Sequence, residues 1–211
     1  MKNKHGQKKP TPNSQKLTEG SDYTERLANL ENLWWKKLLK SVNPYRRNIR
    51  NLCNGYVLDI GCGIGRNLRY MGNPINVGVD NNAYSVSYAR KLGFDCYTTE
   101  EFLSLEHFYK QTFDTLLISH VLEHMTEIQA VQLILSYMPC VKPSGQIIVI
   151  CPQLRGFKND DTHVTYMTPD LISNILDKCG FNVWSRRSFP FPRIFGNAYI
   201  YNEHIVIGQV A

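Results

Sequence analysis

The chain has 211 residues, 43% of them apolar, enough to fill one sizeable α/β core. No apolar run approaches the roughly 20 residues that cross a bilayer, and the opening MKNKHGQKKP lacks the apolar stretch of a secretory signal, so a soluble, cytoplasmic protein is expected. Charge is uneven: residues 1–50 hold 12 Lys/Arg against 4 Asp/Glu and residues 51–211 hold 12 against 14, which places the net +6 in the N-terminal quarter.

Residues 1–20 are rich in Lys, Asn, Gln, Ser and Pro and nearly devoid of apolar side chains, which predicts a disordered basic tail. Such a tail attracts phosphates or an anionic surface by long-range electrostatics. Leu27, Leu30, Trp34 and Leu38 then recur at helical spacing, Asn43-Pro44 ends that helix, and a second short helix follows over 45–52. Residues 21–54 thus read as a helical cap on a main domain spanning 55–211. In that domain β-type runs at 56–60, 76–80, 94–97, 115–119 and 146–151 alternate with helical segments at 66–71, 83–92, 100–109 and 126–138. This alternation predicts a doubly wound α/β fold, a parallel sheet with helices on both faces.

After the fifth strand a polar loop, 152–168, leads to a helix over 169–179 that Gly180 stops. Two strands follow near 182–188 and 198–210. The loop between them, 189–197, is too short for a crossover helix, so they pair antiparallel. The six cysteines form no CxxC pair and no zinc-ligand spacing, and they read as reduced core thiols rather than disulfide staples.

The strand ending Val57-Leu58-Asp59-Ile60 runs straight into Gly61-Cys62-Gly63-Ile64-Gly65 and a helix. The glycines therefore sit at the carboxyl end of the first strand, where open α/β sheets bind ligands and a helix N-terminus offers free N–H groups. A dinucleotide fingerprint, G-x-G-x-x-G, would require glycine at position 66, which is Arg66. Asp59 can meet a cationic amino group. Asp80 closes the second strand about 20 residues on, at a position suited to ribose hydroxyls, a role favoured over capping the helix that follows.

The string LDIGCGIG resembles motif I of class I S-adenosylmethionine-dependent methyltransferases. Ser119-His120-Val121-Leu122-Glu123-His124-Met125 resembles motif IV of the ubiquinone/menaquinone-biosynthesis type, and Val141-Lys142-Pro143-Ser144-Gly145 matches their turn into strand five. The resemblance implies a seven-stranded, mostly parallel Rossmann-like sheet whose antiparallel last strand inserts between the fifth and sixth. It places S-adenosyl-L-methionine against Asp59, Gly61, Cys62, Gly63, Asp80, Asn81, Thr98, Thr99, Glu100, Ser119 and His120. Thr98 stands where many relatives carry an aspartate near the adenine; Glu100 or Glu101 either substitutes or serves as an ordinary helix N-terminal acid.

Methyl transfer is an in-line displacement that needs alignment and exclusion of water, with a base only where the acceptor must lose a proton. Three loops, 120–125, 152–168 and 189–197, should converge above the reacting sulfur. They supply His120, His124 and His163 as candidate catalytic groups, and Arg155, Arg193 and His163 as candidate acceptor-binding groups. Tyr45, Arg46 and Trp34 are candidate lid residues, with core packing the favoured role for Trp34. No metal site is expected, because residues 160–163 form the sole acid/His cluster and lack a second group of ligands. The expected acceptor is a small molecule or a glycan or lipid precursor, methylated at O, N or C. An RNA or protein acceptor captured by the basic N-terminus, or a non-catalytic cofactor-binding subunit, is the alternative.

Overall fold

The computed structural model describes Glu25 and residues 44–211. The expected tail over 1–20 and the helix carrying Leu27, Leu30, Trp34 and Leu38 lie outside the described residues. Helix α1 (Pro44–Leu52) opens on a proline, whose fixed φ suits a first helical turn, and buries Ile49 and Leu52. Strands β1 (Val57–Ile60), β2 (Val77–Asp80), β3 (Asp95–Thr98), β4 (Phe113–Ser119) and β5 (Val141–Pro152) alternate with helices α2 (Arg66–Met71), α3 (Ala83–Lys91), α4 (Thr99–Ser104) and α5 (Glu127–Tyr137). Helix α6 (Leu154–Phe157), helix α7 (Pro169–Lys178), strand β6 (Phe181–Phe189) and strand β7 (Glu203–Val210) complete the chain.

The seven strands form one sheet in the order β3-β2-β1-β4-β5-β7-β6. The first five run parallel, and β7 lies antiparallel between β5 and β6. This is the expected doubly wound architecture. Side chains alternate across the central strands with period two. Leu116, Ile118, Ile147 and Val149 pack on one face with Phe102 of α4, Ile134 of α5 and Ile172 of α7. Leu117, Ile148, Ile150, Ile205 and Ile207 pack on the other with Ile49 and Leu52 of α1. Burial on both faces explains why β4 and β5 read as near-continuous apolar runs. All six cysteines are free and five are buried, as expected of core thiols. Among the described residues no helix is long and apolar enough to cross a membrane.

Three segments depart from the sequence expectation. The helix expected over 100–109 breaks at Leu105 into α4 and a 3-10 turn, Glu106–Tyr109. The polar stretch 152–168 contains α6, and the strand expected from 198 begins only at Glu203. In the last case side-chain chemistry overrides β propensity. Buried Asn202 accepts from Phe191 N at 3.0 Å and donates to Gln153 Oε1 at 3.1 Å, holding the preceding residues in a turn against the 3-10 segment Arg193–Asn197.

One packing consequence is testable. A Cβ at Gly78 would lie 2.7 Å from Cys62 Sγ, 2.9 Å from Cys96 Sγ and 2.9 Å from Leu68 Cδ1. Overpacking of this kind costs about 1–3 kcal/mol. Gly78→Val is therefore expected to lower Tm by roughly 3–10 °C in a calorimetric scan, and an unchanged Tm would contradict this packing.

Candidate active site at the carboxyl edge of the sheet

β1 ends in a loop in which Gly61 and Gly65 have φ of 73° and 81°, a region that disfavours any residue with a Cβ. A Cβ at Gly61 would also run into Val121 Cγ2, and one at Gly65 would lie 2.6 Å from Phe94 Cδ2. The loop is knitted to β2: Gly61 N and Cys62 N both donate to Val79 O, at 2.8 and 3.1 Å.

Asp80 clasps this loop. Its Oδ2 accepts from Gly63 N and its Oδ1 from Asn82 N, each at 2.8 Å. Burial raises its pKa while these two N–H groups oppose the rise. The alternative role as helix cap belongs instead to Asn82, whose Oδ1 accepts from Tyr84 N and Ser85 N. Each Asp80 oxygen keeps a second lone pair, so a ribose diol fits beside the bonds already made.

Asp59 is fully buried. Asn67 Nδ2 donates to its Oδ1 at 3.3 Å, and its Oδ2 has no hydrogen-bond partner. Burial pushes this carboxyl up to about 7, against the opposing pull of Asn67 and Arg66. A buried carboxylate oxygen without a donor is costly, and an ammonium group is the chemistry that would satisfy it. Cys62 requires correction as a ligand contact: its side chain is buried with Leu68, Val86, Ala89 and Cys96, so only its main chain belongs to the loop.

At the end of β3, Thr98 Oγ1 accepts from Glu101 N at 3.2 Å, and Glu101 Oε2 accepts from Thr98 N at 2.8 Å. This reciprocal cap starts α4, and Arg90 pairs with Glu101 at 2.6 Å. Glu101 is thus an ordinary helix N-terminal acid, while Glu100 stays exposed beside Thr99.

The second half of the site begins where β4 ends at buried Ser119. His120 takes a left-handed backbone, φ 59°, held there by its N–H bond to Ile150 O at 2.8 Å. Its ring lies between two carboxylates, with Nε2 2.8 Å from Glu203 Oε1 and Nδ1 3.3 Å from Glu123 Oε1. Burial opposes a charge on the ring, but Glu123 and Glu203 outweigh it and lift the pKa to about 9. The expectation of His120 as a proton acceptor gives way to an imidazolium that links β4 to β7.

His124 and His163 behave differently. Thr162 Oγ1 gives its proton to Asp160 Oδ1 at 2.7 Å and so accepts from His124 Nδ1 at 3.1 Å. His163 Nδ1 lies 2.8 Å from the carbonyl of Phe157, with its ring stacked on that phenyl at 5.4 Å and edge-on to His124 at 4.8 Å. A carbonyl only accepts, so both imidazoles carry the proton on Nδ1 and the lone pair on Nε2. Burial lowers the His124 pKa, which keeps that ring neutral.

The three expected loops do meet. Val164 N and Thr165 N donate to Glu123 O at 2.7 and 3.1 Å, and Gln153 N donates to Asn202 O at 2.9 Å. Gln153 Nε2 bonds Ser188 Oγ at 2.6 Å and Glu203 O at 3.0 Å. Arg155 on α6 and Arg193 on the turn packed against it are both exposed at this edge. Tyr45 of α1 reaches the same region, its hydroxyl donating to Tyr201 O at 2.8 Å and its ring edge-on to Phe189.

Sequence reasoning missed Glu123, Gln153, Tyr166, Asn202, Glu203 and His204 as parts of the site. Tyr166 Oη lies 3.2 Å from His204 Nε2, and burial with the nearby charge of Arg193 drives His204 down to about 4. The available signal was Asn202-Glu203-His204 set directly before the apolar run IVI, three polar residues opening a buried strand. The acid/His cluster at 160–163 gains neighbours from a distant segment. Nitrogen or carboxylate oxygen atoms of Glu123, His124 and His163 all lie within 4.8 Å of one another, a juxtaposition made across about 40 residues of chain.

Residues 34–186 match the family profile described as methyltransferase domain, well over half of the chain. The chain belongs to the methyltransferase-domain family. The expected class, S-adenosylmethionine-dependent methyltransferase, therefore stands. No curated relative matches in sequence. Among solved structures, this methyltransferase is similar to magnesium protoporphyrin IX methyltransferase from Synechocystis PCC 6803 with bound S-adenosylhomocysteine (17% identity, 92% of this chain, 97% of that chain, TM-score 0.63). It is similar also to a TehB-like methyltransferase from Corynebacterium glutamicum (15% identity, 91% and 100% coverage, TM-score 0.63). A third is a methyltransferase from Methanosarcina mazei (16% identity, 80% and 98% coverage, TM-score 0.59). At these identities the likeness is one of fold.

Proposed function

We propose that this methyltransferase transfers the methyl group of S-adenosylmethionine to a small molecule, or to a glycan or lipid precursor, held over the carboxyl edge of the sheet. The observation that carries this reading is the meeting of three segments, 120–125, 152–168 and 189–203, at the carboxyl edge of the sheet, where Val121 of the first lies against Gly61 of the glycine loop. When bound, the sulfonium supplies an electrophilic methyl group. Asp59 faces its ammonium, and Asp80 with Asn81 takes the ribose. Thr98, Thr99 and Glu100 border the adenine, and Ser119 with the main chain of Gly61, Cys62 and Gly63 lines the remainder.

His120, fixed between Glu123 and Glu203, positions the exit of β4 rather than moving protons. His124 and His163 offer the two Nε2 lone pairs to the acceptor side, and Arg155 and Arg193 suit an acidic or phosphate-bearing acceptor. Alanine at either histidine is expected to lower turnover by about 10²- to 10⁴-fold while leaving affinity for S-adenosylmethionine within a few-fold. Turnover unchanged in both variants would remove these rings from the reaction. The acceptor class is tested by following tritiated methyl incorporation into fractionated extract. Label in small molecules, glycans or lipids supports the reading, whereas label confined to RNA or protein would overturn it in favour of capture by the basic N-terminus.

A further inference from the structure

We propose that Glu123, His124 and His163 bind one late first-row divalent cation of the Zn2+ class. Glu123 is fully buried, and apart from His120 Nδ1, 3.3 Å from its Oε1, neither of its carboxylate oxygens has a polar side-chain or main-chain partner in hydrogen-bonding geometry. Buried carboxylates are normally paired and hydrogen-bonded or coordinate a metal. Whatever the protonation of His120, the group formed by Glu123, Glu203 and His120 carries net negative charge. The space beside Glu123 therefore attracts a cation.

The two imidazoles are presented as metal-ligating histidines usually are. Each has its Nδ1 tied to the chain, His163 to Phe157 O at 2.8 Å and His124 to Thr162 Oγ1 at 3.1 Å. Such outer bonds fix the tautomer and leave Nε2 as the ligand atom. Asp160, accepting from Thr162 Oγ1 at 2.7 Å and from Thr162 N at 2.9 Å, braces this support. The three ligand atoms span at most 4.8 Å. Ligands about 2.05 Å from zinc in a tetrahedron stand about 3.3 Å apart, so small side-chain rotations close the site.

Two imidazoles and one carboxylate suit Zn2+, Fe2+, Co2+ or Ni2+, whereas Mg2+ and Ca2+ require oxygen ligands. Three protein ligands leave an open position for water or for an acceptor oxygen. With both Nε2 lone pairs taken up by the ion, the ion replaces the two rings in activating the acceptor: a hydroxyl held at the open position would release its proton to water near neutral pH, becoming a better nucleophile for the methyl group. That use rests on the acceptor reading above; the binding of the ion does not.

The test is a titration of full-length, tag-free protein, stripped with a chelator, with Co2+ and then Zn2+. One equivalent of Co2+ is expected to produce visible d–d absorption that one equivalent of Zn2+ removes. His124→Ala, His163→Ala and Glu123→Gln should each weaken binding at least about tenfold, while His107→Ala, outside the cluster, should leave it unchanged. Absence of bands at millimolar Co2+ overturns the site, as does their persistence in a His124→Ala/His163→Ala double variant shown by circular dichroism to be folded. No bands with methyl transfer intact removes the metal and leaves the methyltransferase reading standing. Bands without methyl transfer uphold the metal site and count only against the acceptor reading.

Discussion

Replacing Asp80 by Ala is expected to weaken binding of S-adenosylmethionine by about 100-fold or more. One carboxylate holds Gly63 N and Asn82 N at 2.8 Å each, and so fixes both the glycine loop and the start of the next turn. Hydrogen bonds to a charged group contribute about 1.5–3 kcal/mol each, and a 100-fold loss corresponds to about 2.7 kcal/mol. Losing the clasp and the ribose contact together should reach that figure easily. Asp80→Asn keeps one acceptor oxygen at nearly the same volume, so it should fall between wild type and Ala. Calorimetric titration with S-adenosylmethionine makes the comparison. An Asp80→Ala protein that binds like wild type would show that the loop is held, and the ligand met, by other groups.

The affinity should also rise with pH up to about 7. Asp59 is buried with one unsatisfied oxygen, and burial raises its pKa to about 7 in the folded chain, against about 4 for an unfolded aspartate. An acid whose folded pKa is raised takes up a proton on folding, so this group costs the ligand-free protein stability as pH climbs from 4 through 7. An ammonium beside Asp59 reverses the preference, because only the ionised carboxylate pairs with it. Binding near neutral pH therefore expels up to one proton, and the dissociation constant should worsen roughly tenfold per pH unit below 7. Above about 8 affinity should fall again as the ligand's own α-amino group loses its proton. Titration in buffers of different ionisation enthalpy reads the proton count directly. Asp59→Asn should abolish the acid limb, and an unchanged limb in that variant would assign the linkage to another group.

The parts of the site legible in the sequence are those made by neighbours in the chain. Asp59 to Gly65 is one strand-to-helix turn, where the need for positive φ leaves glycine as the visible mark. The alternating strands and helices follow from periodicities of two and 3.6 residues, which is why the parallel sheet could be anticipated, whereas the insertion of the last strand was implied only by the family resemblance. What stayed hidden depends on long-range encounters. Glu203 meets His120 across 83 residues, and His163 meets His124 across 39, so neither pairing leaves a local pattern. Glu101 could be read as an adenine contact or as a helix N-terminal acid because capping boxes and ligand-binding turns use the same residue types at the same place. Cys62 is a similar case: its position in the glycine loop is local, but the direction of its side chain is set by Leu68, Val86 and Cys96, which pack around it.

The central claim is that the carboxyl edge of this sheet binds S-adenosylmethionine and presents its methyl group to an acceptor gathered by the three converging segments. Calorimetry of the full-length protein with S-adenosylmethionine and with S-adenosylhomocysteine tests it most directly. One site per chain with a dissociation constant in the micromolar range is the predicted result for both. Absence of binding heat for either compound at millimolar concentration would contradict it.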